Sequence, residues 1–73
     1  MVMQKKELAS EKYGGRTIYY TSEKTLLQGK YWSVPTIRAY IIVTGKKKEV
    51  GQGMRKEIAK TRAHRRVKEI NRR

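Results

Sequence analysis

The sequence predicts a small α+β domain of order α-β-β-β-α, with a three-stranded antiparallel sheet and helices packed on one face. Three observations predict it. Residues 54–71 repeat small and aliphatic side chains at helical spacing. Residues 35–45 alternate apolar and polar side chains. A Gly14-Gly15 pair divides a run of helix formers from a β-branched, aromatic run. The 73 residues suit one domain with one small core, and no linker, internal repeat or low-complexity segment divides them.

In chain order, "MQKKELASEKY" over residues 3–13 consists of good helix formers and reads as a short helix. Gly14-Gly15 ends it, because glycine takes the left-handed conformation that a helix C-terminus uses. "RTIYYTS", residues 16–22, reads as a strand. Residues 23–34 are ambiguous: Gln28-Gly29 suggests a turn, and Leu26-Leu27 either lengthens a strand or plugs the edge of the core. "PTIRAYIIVTG", residues 35–45, is the clearest strand, with Ile37, Ala39, Ile41 and Val43 on one face and Arg38 and Tyr40 on the other. Pro35 stands at its start, where it removes no interior ladder bond. A hairpin turn then leads into a short edge strand around Glu49 to Gln52. In the last helix, from Met54 to Asn71, Ala59, Ala63, Val67 and Ile70 form the stripe that faces the sheet.

Charge carries the functional reading. Nineteen lysines and arginines against six acids give a net charge of +13, which points to a polyanionic partner. Residues 45–73 hold twelve of the bases and three of the acids, so the partner is expected to meet the C-terminal part. The absence of cysteine excludes disulfides and thiolate metal sites, and one histidine cannot make a zinc site alone. The longest apolar run, Ala39 to Val43, is far too short to span a bilayer, and Met1 to Lys6 has no secretory apolar region. An intracellular setting without a membrane partner is the expectation. Without paired carboxylates, metal ligands or a nucleophile–base pair, neither an enzyme nor a cofactor is expected. His64 has no nucleophile or orienting carboxylate near it in sequence, and is expected to face solvent or phosphate.

The start of the last helix is the main candidate site. Its unsatisfied backbone N–H groups and positive dipole end favour an anion. Gly51 and Gly53 permit close backbone approach, and Lys56 and Lys60, four residues apart, share a helix side with Arg55 beside them. Lysine acts there as a point charge and reads no bases. Lys46, Lys47 and Lys48 are either a further phosphate contact or a solvated hairpin tip. Tyr31 and Trp32 either stack on a nucleotide or pack partly buried. Met54 and Ile58 lie away from the packing stripe, as local packing or as a protein-binding spot.

These residues carry a resemblance. "PTIRAYIIVTGKKKEVGQGMRKEIAKTRAHRRVKEI", residues 35–70, resembles the C-terminal two-thirds of the double-stranded-RNA-binding domain. Pro35, Thr36 and Gly45 match the limits of that family's strand, Gly51 and Gly53 its paired glycines, and Lys56, Ala59, Lys60 and Ala63 its helix. "ELASEKYGG", Glu7 to Gly15, is similar to its first helix and exit. Arg55, Glu57 and Ile37 depart from the family's serine, second lysine and aromatic, and "KYWS", Lys30 to Ser33, replaces its groove-binding loop. The resemblance implies shape recognition of duplex RNA, largely without sequence specificity. The first helix and the strand loop enter successive minor grooves, and the lysines bridge the phosphates between them. By position, the implied RNA contacts are Gly53, Arg55, Lys56 and Lys60 on the last helix and its approach. Lys6, Glu7 and Ser10 join them from the first helix and Lys30, Trp32 and Ser33 from the loop; Lys46, Lys47 and Lys48 at the hairpin are candidate RNA contacts by their charge, outside the resemblance.

Two other readings stay open. Some recombinase N-terminal domains are similar in layout, a three-stranded sheet plus a helix, and set the sheet in a DNA major groove. "AYIIVTGKKKEVGQG" suits that role, with Arg38, Tyr40 and Ile42 as base readers. The other is a protein-interaction or ribonucleoprotein assembly module, its contact at Met54 and Ile58, and a homodimer stays open with it.

Overall fold

The computed structural model describes residues 2–27, 30–31 and 36–72. Its elements are β1 (Val2–Glu7), β2 (Glu11–Tyr13), β3 (Arg16–Leu27), β4 (Lys30–Tyr31), β5 (Thr36–Val43), β6 (Lys46–Gly53) and α1 (Lys56–Asn71). In coarse form the expected class holds: an antiparallel sheet is followed by a C-terminal helix. The sheet order is β1-β3-β5-β6, with the short β2 and β4 also paired to β3, so it is wider than the three strands expected.

The expected first helix over residues 3–13 does not form. That segment makes two lengths of one edge strand along β3. Val2 pairs with Leu26 and Glu7 with Thr21, and after a short break Glu11 pairs with Ile18 and Tyr13 with Arg16. The Leu8 amide bridges the break by donating to the Tyr20 carbonyl at 3.0 Å. The cause is the turn. Gly14 and Gly15 both have positive φ, 59° and 75°, the combination of a two-residue hairpin turn rather than a single helix cap. Once the turn folds residues 2–13 back onto the long β3, ladder bonds and burial of Leu8 and Tyr13 outweigh a few tenths of a kcal/mol per residue of helix propensity. Thr44 and Gly45, with φ of 51° and 78°, repeat the device between β5 and β6.

The remaining elements follow their patterns. In β5, Ile37, Ala39 and Ile41 are buried and Val43 is packed against the core. On α1, Ala59, Ala63 and Val67 are fully buried against them, with Ile70 at the margin. Ile18, Tyr20 and Val50 complete the core. Each buried isoleucine or valine side chain contributes about 1.5–3 kcal/mol and each alanine less, so this small set carries most of the apolar stabilisation. The edge strand expected around Glu49 to Gln52 extends from Lys46 to Gly53. It contains a bulge opposite Ala39/Tyr40. Strict alternation would place Val50 and Gln52 on one face; the bulge sends Val50 into the core while Glu49 and Gln52 both meet Arg38 on the other side.

The helix packs on one face of the sheet and is tied down near its middle and at its C-terminal end. Arg62 donates to the Gln52 carbonyl at 2.8 Å. At the far end Asn71 donates to the Gly14 carbonyl at 2.9 Å and accepts from Arg16 at 3.0 Å, fixing the helix terminus to the first hairpin turn.

Candidate nucleic-acid interface

The register sorts the exposed side chains into two sets. The helix-free face carries Lys5 on β1, Tyr19 and Glu23 on β3, Arg38, Tyr40 and Ile42 on β5, and Lys47, Glu49 and Gln52 on β6. Tyr19 and Ile42 are 40% and 44% exposed, large apolar groups with no element packed over them among the described residues. The Tyr19 and Tyr40 rings stack with centroids 6.2 Å apart, and the Lys47 ammonium lies 5.0 Å from the Tyr40 centroid.

At the middle of this face Arg38 is held across three strands. Its Nε donates to Glu23 at 2.8 Å, and its Nη1 donates to Glu49 at 2.7 Å and to Gln52 at 3.0 Å. Bonding to Glu49 first, and then to Glu23, raises the guanidinium pKa above its already high ordinary value. Lys5 adds a long contact to Glu23 at 3.9 Å. Thr21 is in register between Glu7 and Arg38; it is buried, and its hydroxyl has no partner among the described residues.

The helix start is arranged differently from the expected clamp. Lys56 and Lys60 do share a helix side, and it is the side turned toward β2 and β3. The Lys56 ammonium lies 5.3 Å from the Tyr20 centroid, and Lys60 pairs with Glu11 at 3.5 Å. His64, one turn on, contacts Glu11 at 2.7 Å and stacks on Tyr13 with centroids 3.7 Å apart. Tyr20 donates its hydroxyl to the same carboxylate. Burial pushes the Glu11 pKa upward, but the hydrogen bonds from Tyr20 and His64 and the charges of His64 and Lys60 outweigh it and leave a net lowering. Burial first, and then Glu11, pushes the Tyr20 phenol far above its ordinary value. Glu11 therefore fastens the helix to the first hairpin. Its links to Lys60 and His64 were hidden in the sequence, the second by a separation of 53 residues.

Gly51 and Gly53 face the helix. A β-carbon on Gly51 would lie 2.7 Å from the Ala59 carbonyl oxygen, and one on Gly53 would lie 2.6 Å from Ile58 Cγ2. Their absent side chains admit α1 itself. Arg55 occupies the N-cap position with extended backbone and no side-chain cap. Lys46, Lys47 and Lys48 are exposed on β6 beside the hairpin turn. Lys6, Glu7 and Ser10 do not share a helix face, because residues 6 and 7 point to opposite sides of a strand and Ser10 lies between β1 and β2. Lys30 is in β4, whereas Trp32 and Ser33 lie outside the described residues. Met54 and Ile58 are 63% and 38% exposed. No cluster of three or more histidine, cysteine, aspartate or glutamate side chains suited to a metal is present among the described residues, and no described helix is long and apolar enough to cross a membrane.

Comparison with family models, curated proteins and solved structures finds no match for the chain.

Proposed function

We propose that the chain binds duplex nucleic acid, and that it presents the helix-free face of its sheet to the major groove of B-form DNA. The observation that carries this reading is the sheet face opposite the helix, where Tyr19, Arg38, Tyr40, Ile42 and Lys47 gather on adjacent strands with no other element over them among the described residues. Most of these side chains stand on β5 and β6, adjacent strands about 4.8 Å apart at one edge of the sheet, and a two-stranded ribbon fits a B-DNA major groove about 12 Å wide. Duplex RNA offers a deep, narrow major groove that side chains cannot read. Binding to its minor groove in the manner of the double-stranded-RNA-binding domain calls for the first helix, whose residues form β1 and β2 here.

Charge supports a polyanionic partner. Among the described residues carboxylates engage Lys5, Arg38, Lys60 and Arg66, and the net charge of the chain is +13. Lys47 on the face supplies a phosphate contact, and Lys46 and Lys48, on the other side of the edge strand β6, reach phosphates at the groove's rim; Arg38, Tyr40 and Ile42 meet the base edges. The activity is binding, with no chemical step assigned to any residue.

Fluorescence anisotropy with DNA and RNA duplexes of one sequence tests this. Tighter binding to DNA at each salt concentration is the expected result. Tighter binding to RNA would favour the clamp at Lys56 and Lys60, and no binding to either would remove nucleic acid as the partner.

A further inference from the structure

On a chain of net charge +13, the centre of the helix-free face has no excess of positive charge. Lys5 and Arg38 are paired there with Glu23 and Glu49, and Glu7 stands in register on the same face. A phosphate gains little from such a cluster, because each cation already has a carboxylate within 4 Å. A base edge, which is uncharged and carries fixed donors and acceptors, is a better match.

The three bonds to Arg38 run through Nε and Nη1, which leaves Nη2 without a described partner. Glu49 accepts from Arg38 through Oε1 and is 46% exposed, so its other oxygen is open to a further donor. Glu23 is only 15% exposed and grips Nε. The cluster therefore sets a donor, Arg38 Nη2, beside an acceptor, the second Glu49 oxygen. In the major groove a G·C pair presents the complementary order, guanine O6 and N7 as acceptors followed by the cytosine N4 donor. Holding the guanidinium in advance also removes part of the rotamer entropy that an arginine loses on binding.

We propose that Arg38 and Glu49 together read one G·C base pair, Arg38 donating to guanine and Glu49 accepting from cytosine N4, with Glu23 and Gln52 as positioning residues. This inference rests on the DNA-binding reading above and adds sequence specificity to it. Tyr40 and Ile42, in the same row of β5, extend the contact along the groove on the side of Lys47.

The test is selection from a randomised DNA duplex library with the wild-type chain, Glu49→Gln and Arg38→Lys. Glu49→Gln alters one exposed carboxylate, and Arg38→Lys keeps the charge but loses the planar fork; circular dichroism checks both folds. The wild type is expected to enrich sites with one fixed G·C position. At that position alone each variant should lose preference by about 5- to 150-fold, the range of a single base-pair contact. The glutamine should shift the preference toward A·T, since an amide pairs with adenine N6 and N7. DNA binding without a fixed G·C position, or with the same position unchanged in Glu49→Gln, overturns the inference and leaves the proposed function standing. Failure of the wild type to bind any duplex DNA overturns both.

Discussion

Gly51 and Ala59 are packed so closely that a β-carbon on the glycine would stand 2.7 Å from the Ala59 carbonyl oxygen. The same atom would lie 2.8 Å from the Ala63 amide, so both obstacles are helix backbone, which cannot swing aside as a side chain can. Gly51→Ala is expected to lower stability by about 1–3 kcal/mol, the usual cost of overpacking. Urea denaturation checks this. Unchanged stability with weakened nucleic-acid binding would instead return the glycine pair to a ligand-contacting role.

Glu11 makes stability depend on pH. Its folded pKa lies below the ordinary value of 4.5, so its contribution is complete above that value and is lost as pH falls through the lowered one. The neighbouring groups that set it are Tyr20, Lys60 and His64. Glu11→Gln should flatten the acid limb of a stability-against-pH profile, and an acid limb identical to wild type would remove Glu11 from this role. At the alkaline end the sign reverses. The raised Tyr20 pKa means that stability is lost as pH rises above about 10, where the unfolded phenol ionises. Tyr20→Phe should remove that alkaline loss and cost about 1.5–3 kcal/mol near neutrality, as the hydrogen bond to a carboxylate disappears.

Elements with a long, regular period were readable from the chain. The alternation of Ile37, Ala39 and Ile41 and the stripe of Ala59, Ala63 and Val67 both report a buried face directly, and both are buried as read. Residues 3–13 misled because lysine, glutamate, glutamine and alanine favour a helix locally, whereas the decisive partner, β3, lies beyond the turn. Two left-handed glycines followed by Thr17, Ile18, Tyr19 and Tyr20 were the available signal for a hairpin. The site was readable in part. Arg38, Tyr40 and Ile42 stand together as one face of an alternating strand, but their union with Glu23 and Glu49 depends on register and on a bulge that no local pattern announces. Gly51 and Gly53 have the spacing of an anion loop, and only the tertiary approach of α1 reveals their packing role.

The lysine clusters separate the two nucleic-acid readings. Lys60 is already paired with Glu11, and Lys56 lies beside the Tyr20 ring on the helix side. Changing Lys46, Lys47 and Lys48 to alanine should therefore weaken DNA binding more than changing Lys56 and Lys60. It should also lower the slope of log affinity against log salt by about 0.9 for each phosphate that is no longer neutralised. A larger drop in affinity from the Lys56/Lys60 pair, with the fold intact, would relocate the interface to the helix start.

Aromatic and apolar contacts on the sheet should show little salt dependence. Tyr40→Ala and Ile42→Ala lie outside the core cluster, so stability should fall by only about 0.5–1 kcal/mol, the scale of cross-strand pairs. DNA affinity should fall while the salt slope stays as in the wild type. Binding unchanged in both variants would show that the face does not touch DNA.

The most direct measurement is a map of backbone amide chemical shifts while duplex DNA is added to the labelled chain. Shifts concentrated at Tyr19, Arg38, Tyr40, Ile42, Lys47 and Glu49, on the strands of the helix-free face, are the predicted result. Shifts concentrated at Arg55, Lys56 and Lys60 and along the outer side of α1, with the sheet face unmoved, would contradict it.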